Sequence, residues 1–168
     1  DGNIAMVMKP LEKLPVDIVI RLCTSDDAIV DYWNGVDAQL EISLDILDDP
    51  IGEAAELFAV NPWLNYGLQM HRLREFGVKL RELDHLDERL LSTGQMLKVL
   101  SVLFDCKQSD IPHPDVMWPE FKEFVEGKLQ GLEPVYNPVT KKIEPWINMK
   151  YLYEKYAPQS AKGCCTIA

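Results

Sequence analysis

Ten carboxylates stand between Thr24 and Phe58 (Asp26, Asp27, Asp31, Asp37, Glu41, Asp45, Asp48, Asp49, Glu53 and Glu56), and no lysine or arginine occurs between Arg21 and Arg72. Such a run could hold a cation, dock a basic surface, or form a solvated face. Calcium fails on spacing. A loop of the EF-hand type needs acids at its first, third and fifth positions before a glycine. Setting Gly35 or Gly52 as that glycine puts Val30 or Leu47 at the first position. The remaining readings are a solvated surface and a docking face for a basic partner, with imitation of a nucleic acid as the extreme form of the second. The docking residues would be Asp26, Asp27, Asp31, Asp37, Glu41, Asp45, Asp48 and Asp49.

Other reactive side chains are sparse. The three histidines are His71, His85 and His113. His71 with Glu75, and the group Asp84, His85, Asp87 and Glu88, lack the second histidine of a zinc-binding helix. Cys106 has no histidine near it in sequence to act as a base, so it reads as a buried core thiol. No G-x-S-x-G, P-loop or dinucleotide fingerprint occurs. The expectation is a non-enzymatic protein without cofactor or metal.

The chain carries 17 basic and 27 acidic residues, a net charge of −10. Without the ten acids of the window, 17 acids face 17 bases, so the whole excess lies there. This disfavours direct contact with nucleic-acid phosphates or anionic lipid, which reward clustered Lys and Arg. Cys23, Cys106 and the pair Cys164-Cys165 lack disulfide-like spacing and suit a reducing, cytoplasmic setting. No apolar run reaches membrane-spanning length, and the opening residues lack a signal-peptide core, with Met8 a plausible start. The end, Cys165-Thr166-Ile167-Ala168, fits the C-a-a-X prenylation box, with Cys164 as a second acylation site; a lipid there would make the protein a membrane-associated regulator.

These residues need a scaffold, and 168 residues suffice for one domain burying about 70% of its unfolded surface. The pattern predicts a mainly α fold, a compact single-domain bundle or array of six to eight helices. Residues 1–13 are expected as a loose arm, 14–157 as the helical domain and 158–168 as a flexible tail. LPVDIVIRLC (14–23) reads equally as a buried strand or as a helix opened by Pro15. From Ser25 a helical stripe runs through Ile29, Trp33, Val36 and Leu40, while LEISLDIL alternates like a strand and Asn34-Gly35 could turn a hairpin. Composition favours helix across 39–47, stacking Asp37, Glu41, Asp45 and Asp49 four apart. If both doubtful segments are strands, a small two-stranded sheet joins the helices.

A short helix is expected from Glu53 to Val60. Asn61-Pro62 reads as a strong start for a helix to about Leu83, whose Arg72, Arg74, Lys79 and Arg81 would compete internally for the acids. Further helices follow at 84–91, through Met96, Leu97, Leu100 and Leu103, from Pro119, and through Trp146, Met149, Leu152 and Tyr156, with turns or a hairpin at 134–146. Trp33, Leu40, Met70, Leu73, Leu100, Phe121 and Phe124 are the expected core.

Two strings resemble family signatures. LPVDIVIRLC resembles the opening of an F-box, implying a helical module that docks onto a ubiquitin-ligase adaptor, with Trp33 as its tryptophan. His113-Pro114-Asp115 matches the tripeptide of J-domain co-chaperones. Either resemblance implies a protein-binding module, as does the acidic window: an adaptor, chaperone or assembly factor with a basic partner.

Overall fold

The computed structural model describes residues 3–24, 26–47, 49–78 and 80–162. The described residues are mainly helical, with eight α-helices, a two-stranded parallel sheet and a second, antiparallel pair of strands. In order these are α1 (Ile4–Met8), β1 (Asp17–Arg21), α2 (Asp27–Asp37), β2 (Ser43–Leu47), α3 (Pro50–Val60), α4 (Leu68–Glu75), α5 (Thr93–Leu103), α6 (Trp118–Gln130), β3 (Val135–Asn137), β4 (Lys142–Glu144), α7 (Met149–Tyr156) and α8 (Gln159–Lys162). Contacts divide the chain into two units. One takes the described residues of 1–53 and 68–79, the other those of 54–67 and 80–168.

The first unit is built on β1–α2–β2. The two strands pair in parallel, Asp17 opposite Ser43 and Arg21 opposite Leu47, so α2 is their crossover. Ile18, Val19 and Ile20 supply the β-branched run of β1. This overturns two expectations. Residues 17–21 are a strand, so the helix that the F-box resemblance implies is not there. Residues 39–47 are not a helix either: α2 stops at Asp37, and the alternation of Leu44 and Ile46 against Ser43 and Asp45 prevails over composition, because pairing with β1 satisfies the backbone. The four-residue stacking of Asp37, Glu41, Asp45 and Asp49 disappears with the helix.

Helical periodicity does hold before that point. Val36 and Leu40 are buried with Ala5, and Ile4, Met8, Trp33, Ile42 and Leu44 pack against them. Residues 4–13, expected as a loose arm, therefore form α1 and a 3-10 turn (Lys9–Lys13), with Ala5 only 3% exposed. α4 ends at a glycine stop: Gly77 has φ +74°, its N–H donates to Arg74 O, and Val78 N–H donates to Leu73 O.

In the second unit, Asn61-Pro62 opens no helix. Asn61 N–H donates to Leu57 O at 2.7 Å, closing α3, and Pro62 has no N–H with which to continue the ladder. The Asn61 side chain is fully buried and serves four loop groups. Its Nδ2 donates to Leu86 O (2.6 Å) and Arg89 O (2.8 Å), and its Oδ1 accepts from Trp63 Nε1 (3.0 Å) and Leu91 N (3.2 Å). Residues 63–67 run on buried and non-helical. Asn65 N–H donates to Trp146 O, and Asn148 N–H donates to Trp63 O. The helix expected over 84–91 is reduced to a 3-10 turn, Leu83–His85.

The remaining elements match the pattern. Ser92 and Gln95 form a capping box for α5, Pro119 lies in the first turn of α6, β3 and β4 make the hairpin, and Asn148 caps α7. Of the expected core, Leu40, Met70, Leu100 and Phe121 are buried, while Trp33, Leu73 and Phe124 are half-buried. The described part of the expected flexible tail holds α8, and Tyr153 donates its hydroxyl to Ala161 O at 3.0 Å.

The two roles open to Asn61 make opposite predictions for Asn61→Asp. A helix cap would tolerate the change, since Asp caps as well as Asn. A buried hub loses both donors and faces Leu86 and Arg89 carbonyls with a carboxylate, so the variant is expected to lose roughly 3 kcal/mol of stability in urea unfolding.

Candidate functional site

The described acids of the window do different work. Asp26 caps α2, its Oδ1 accepting from Ala28 N at 3.0 Å, and its own N–H donates to Thr24 Oγ1. Asp49 caps α3, accepting from Ile51 N and Gly52 N at 3.1 Å each. Both positions favour carboxylates, because amide hydrogens without helical partners converge there with the positive end of the helix dipole.

Asp45 and Glu53 are neutralised inside the first unit. Arg74 on α4 donates from Nη2 to Asp45 Oδ1 and from Nη1 to Glu53 Oε1, both at 3.0 Å, with a side chain 13% exposed. The other Glu53 oxygen lies 3.1 Å from Nδ1 of His71, whose side chain is fully buried. Arg21 on β1 reaches Glu75 on α4 at 3.0 Å. Two arginines thus tie α4 to the sheet, and the internal competition expected for the acids takes place through Arg74.

Asp37, at the end of α2, is half-buried. Burial first, and then the nearby Asp45 carboxylate, raise its pKa above the ordinary value of 3.8. Asp27, Asp31 and Glu41 are exposed, and no basic side chain pairs with them among the described residues. Asp27 and Asp31 lie one turn apart on the solvent side of α2, with Tyr32 also exposed. Glu41 receives no cation, while its N–H donates to Glu12 Oε1 at 3.0 Å. Asp48, Cys164 and Cys165 lie outside the described residues, as does Lys79.

His71 beside Glu53 has the geometry of a general base with its orienting carboxylate, but a fully buried imidazole offers no atom to a substrate. His113 and Asp115 are 3.8 Å apart on exposed side chains, too far for a hydrogen bond. Cys106 is half-buried rather than buried. Among the described residues, no three His, Cys, Asp or Glu side chains are grouped to hold a metal ion, and no helix is long and apolar enough to cross a membrane. The Glu53–His71 contact escaped sequence reasoning because 18 residues, including the loop between α3 and α4, separate the partners; the available hint was a lone histidine one turn before an arginine.

No family model, no curated protein and no solved structure matches this chain.

Arg74→Met leaves Asp45 and Glu53 without their shared cation and should destabilise the protein by roughly 3 kcal/mol, read from the shift in urea midpoint. Asp37 acts in the opposite sense. Its folded pKa exceeds its unfolded one, so its contribution to stability is full at low pH and is lost as pH rises through the raised value. Asp37→Asn should therefore be more stable than the parent at neutral pH, with the difference vanishing below about pH 4, in urea titrations across a pH series.

Proposed function

We propose that this protein is a non-enzymatic adaptor, chaperone or assembly factor that docks a basic partner through the solvent side of α2. One observation carries the reading: internal partners account for only part of the acidic window. Arg74 takes Asp45 and Glu53, and backbone amides take Asp26 and Asp49, yet Asp27, Asp31 and Glu41 face solvent without a cation. Domains usually intersperse charge signs at their surface, because a single-sign patch repels itself unless a partner offsets it. Tyr32, 54% exposed next to Asp31, adds an aromatic surface of the type enriched at protein interfaces.

The docking set is thereby smaller than the eight acids read from the sequence. Asp45 and Asp49 hold the first unit together, Asp26 has a cap to maintain, and Asp37 is half-buried. Among the described residues, Asp27, Asp31 and Glu41 are placed to recognise a cationic surface. Complementary charge acts mainly on encounter rate and specificity, so complexes should weaken as salt shortens the Debye length to about 8 Å.

The test is cross-linking in native lysate with Asp27→Asn/Asp31→Asn/Glu41→Gln, beside a control neutralising exposed Glu120, Glu123 and Glu126 on α6. Both variants should keep the parent's urea midpoint. Loss of salt-sensitive partners from the first variant alone is expected; identical partner sets from both would refute docking through α2.

A further inference from the structure

The second unit holds a pocket of about 420 Å³ that shares no residue with the acidic face, a size within the range of about 300–1,000 Å³ typical of small-molecule sites. Phe58, Leu129, Ile147 and Met149 line it together with Tyr151, whose ring meets Phe58 edge to face at 5.8 Å. Asn65 and Glu144 line it as well.

Asn65 is only 4% exposed. Its Nδ2 faces three carbonyls, Val135 O, Glu144 O and Pro145 O, each at 3.4 Å. Three acceptors around one end of the amide fix its orientation: the nitrogen must point there and the oxygen away. That oxygen, Oδ1, is buried and has no donor among the described residues. An acceptor left in this state costs about 1–3 kcal/mol, and native proteins rarely retain one without use.

Glu144 is held equally firmly. Its Oε2 accepts from Asn137 Nδ2 at 2.9 Å and from Thr140 Oγ1 at 2.8 Å. Both donors go to one oxygen, which leaves Oε1 of this pocket-lining residue without a donor of its own among the described residues. Asn137 is itself anchored, its Oδ1 accepting from Val139 N and Thr140 N across the β3–β4 turn. A pinned carboxylate and a buried amide oxygen are both acceptors, and the Asn65 side chain packs against the Glu144 backbone.

A ligand for this pair must donate hydrogen bonds and carry positive charge. Anions meet Glu144 with repulsion, and neutral acceptors leave both oxygens unpaired. The aromatic and aliphatic wall requires an apolar body behind the donating group. We propose that the pocket binds a small organic ammonium, its N–H groups on Asn65 Oδ1 and Glu144 Oε1 and its hydrocarbon body against Phe58, Leu129, Met149 and Tyr151.

The probe is phenethylammonium, titrated into the full chain and followed by two-dimensional NMR. Phenethyl alcohol, of the same shape without charge, and a lysine-containing peptide, which carries the same ammonium on a macromolecule, are the comparison arms. Saturable shifts confined to residues around the pocket are expected for phenethylammonium alone, with a dissociation constant of about 1 mM for so few atoms. Glu144→Gln keeps an acceptor for Asn137 and Thr140 and should weaken binding about tenfold. Leu129→Trp, on a different element, fills the pocket and should abolish the shifts while the rest of the spectrum persists. Equal binding of the alcohol, unchanged binding by Glu144→Gln in a folded spectrum, or saturation by the peptide alone would each overturn the proposal.

Discussion

A guanidinium that is almost out of water must be surrounded by negative charge, and in the first unit Arg74 draws that charge from two elements at once. Asp45 comes from a strand and Glu53 from the first turn of a helix, while Arg74 sits a turn after His71 on α4. The arrangement explains why the acidic window is not one surface. Two of its carboxylates neutralise a buried cation, two satisfy helix amides, and Asp27, Asp31 and Glu41 face solvent. The window therefore combines internal scaffolding with an exterior charge, and the boundary between them follows which side chains α4 can reach.

Local signals in the sequence were reliable wherever the deciding partners were close along the chain. The proline that opens α6 and the hairpin within 134–146 were legible because cap, turn and helix lie within a few residues of one another. The misreadings share the opposite cause. Leu44 and Ile46 alternate cleanly but among good helix formers, and the strand at 17–21, over twenty residues upstream, decides their conformation. Asn61-Pro62 carries a helix-start signature, yet three of the four groups that claim the Asn61 amide lie 25 to 30 residues further on. At the acidic face, exposure of Asp27 and Asp31 could be read from helical spacing, whereas the division between paired and unpaired acids required the position of Arg74.

The second unit relies on asparagines where many domains rely on helix packing. Asn61, Asn65 and Asn137 are each at most 6% exposed, and each holds loop backbone with its side chain. An amide offers two donors and an acceptor with two lone pairs, so it can bridge segments whose own backbone groups have no ladder to join. This accounts for an ordered, buried course through 61–67 without regular secondary structure. It also sets a strict chemical requirement, because neither Asp nor a hydrophobic residue offers both functions at one site.

The order in which the two units draw on the chain bears on biosynthesis. Residues 54–67 belong to the second unit, yet they are made before α4, which the first unit needs for its arginine pairs. The first unit therefore cannot be completed as an N-terminal piece released ahead of the rest, which is the usual order for domains emerging in sequence. Its strands and α2 must wait, with Asp45 and Glu53 still hydrated, until residue 74 has left the ribosome. No single cut in the polypeptide separates the units intact, because a break at their first junction takes α4 from the first unit and leaves it within the chain of the second.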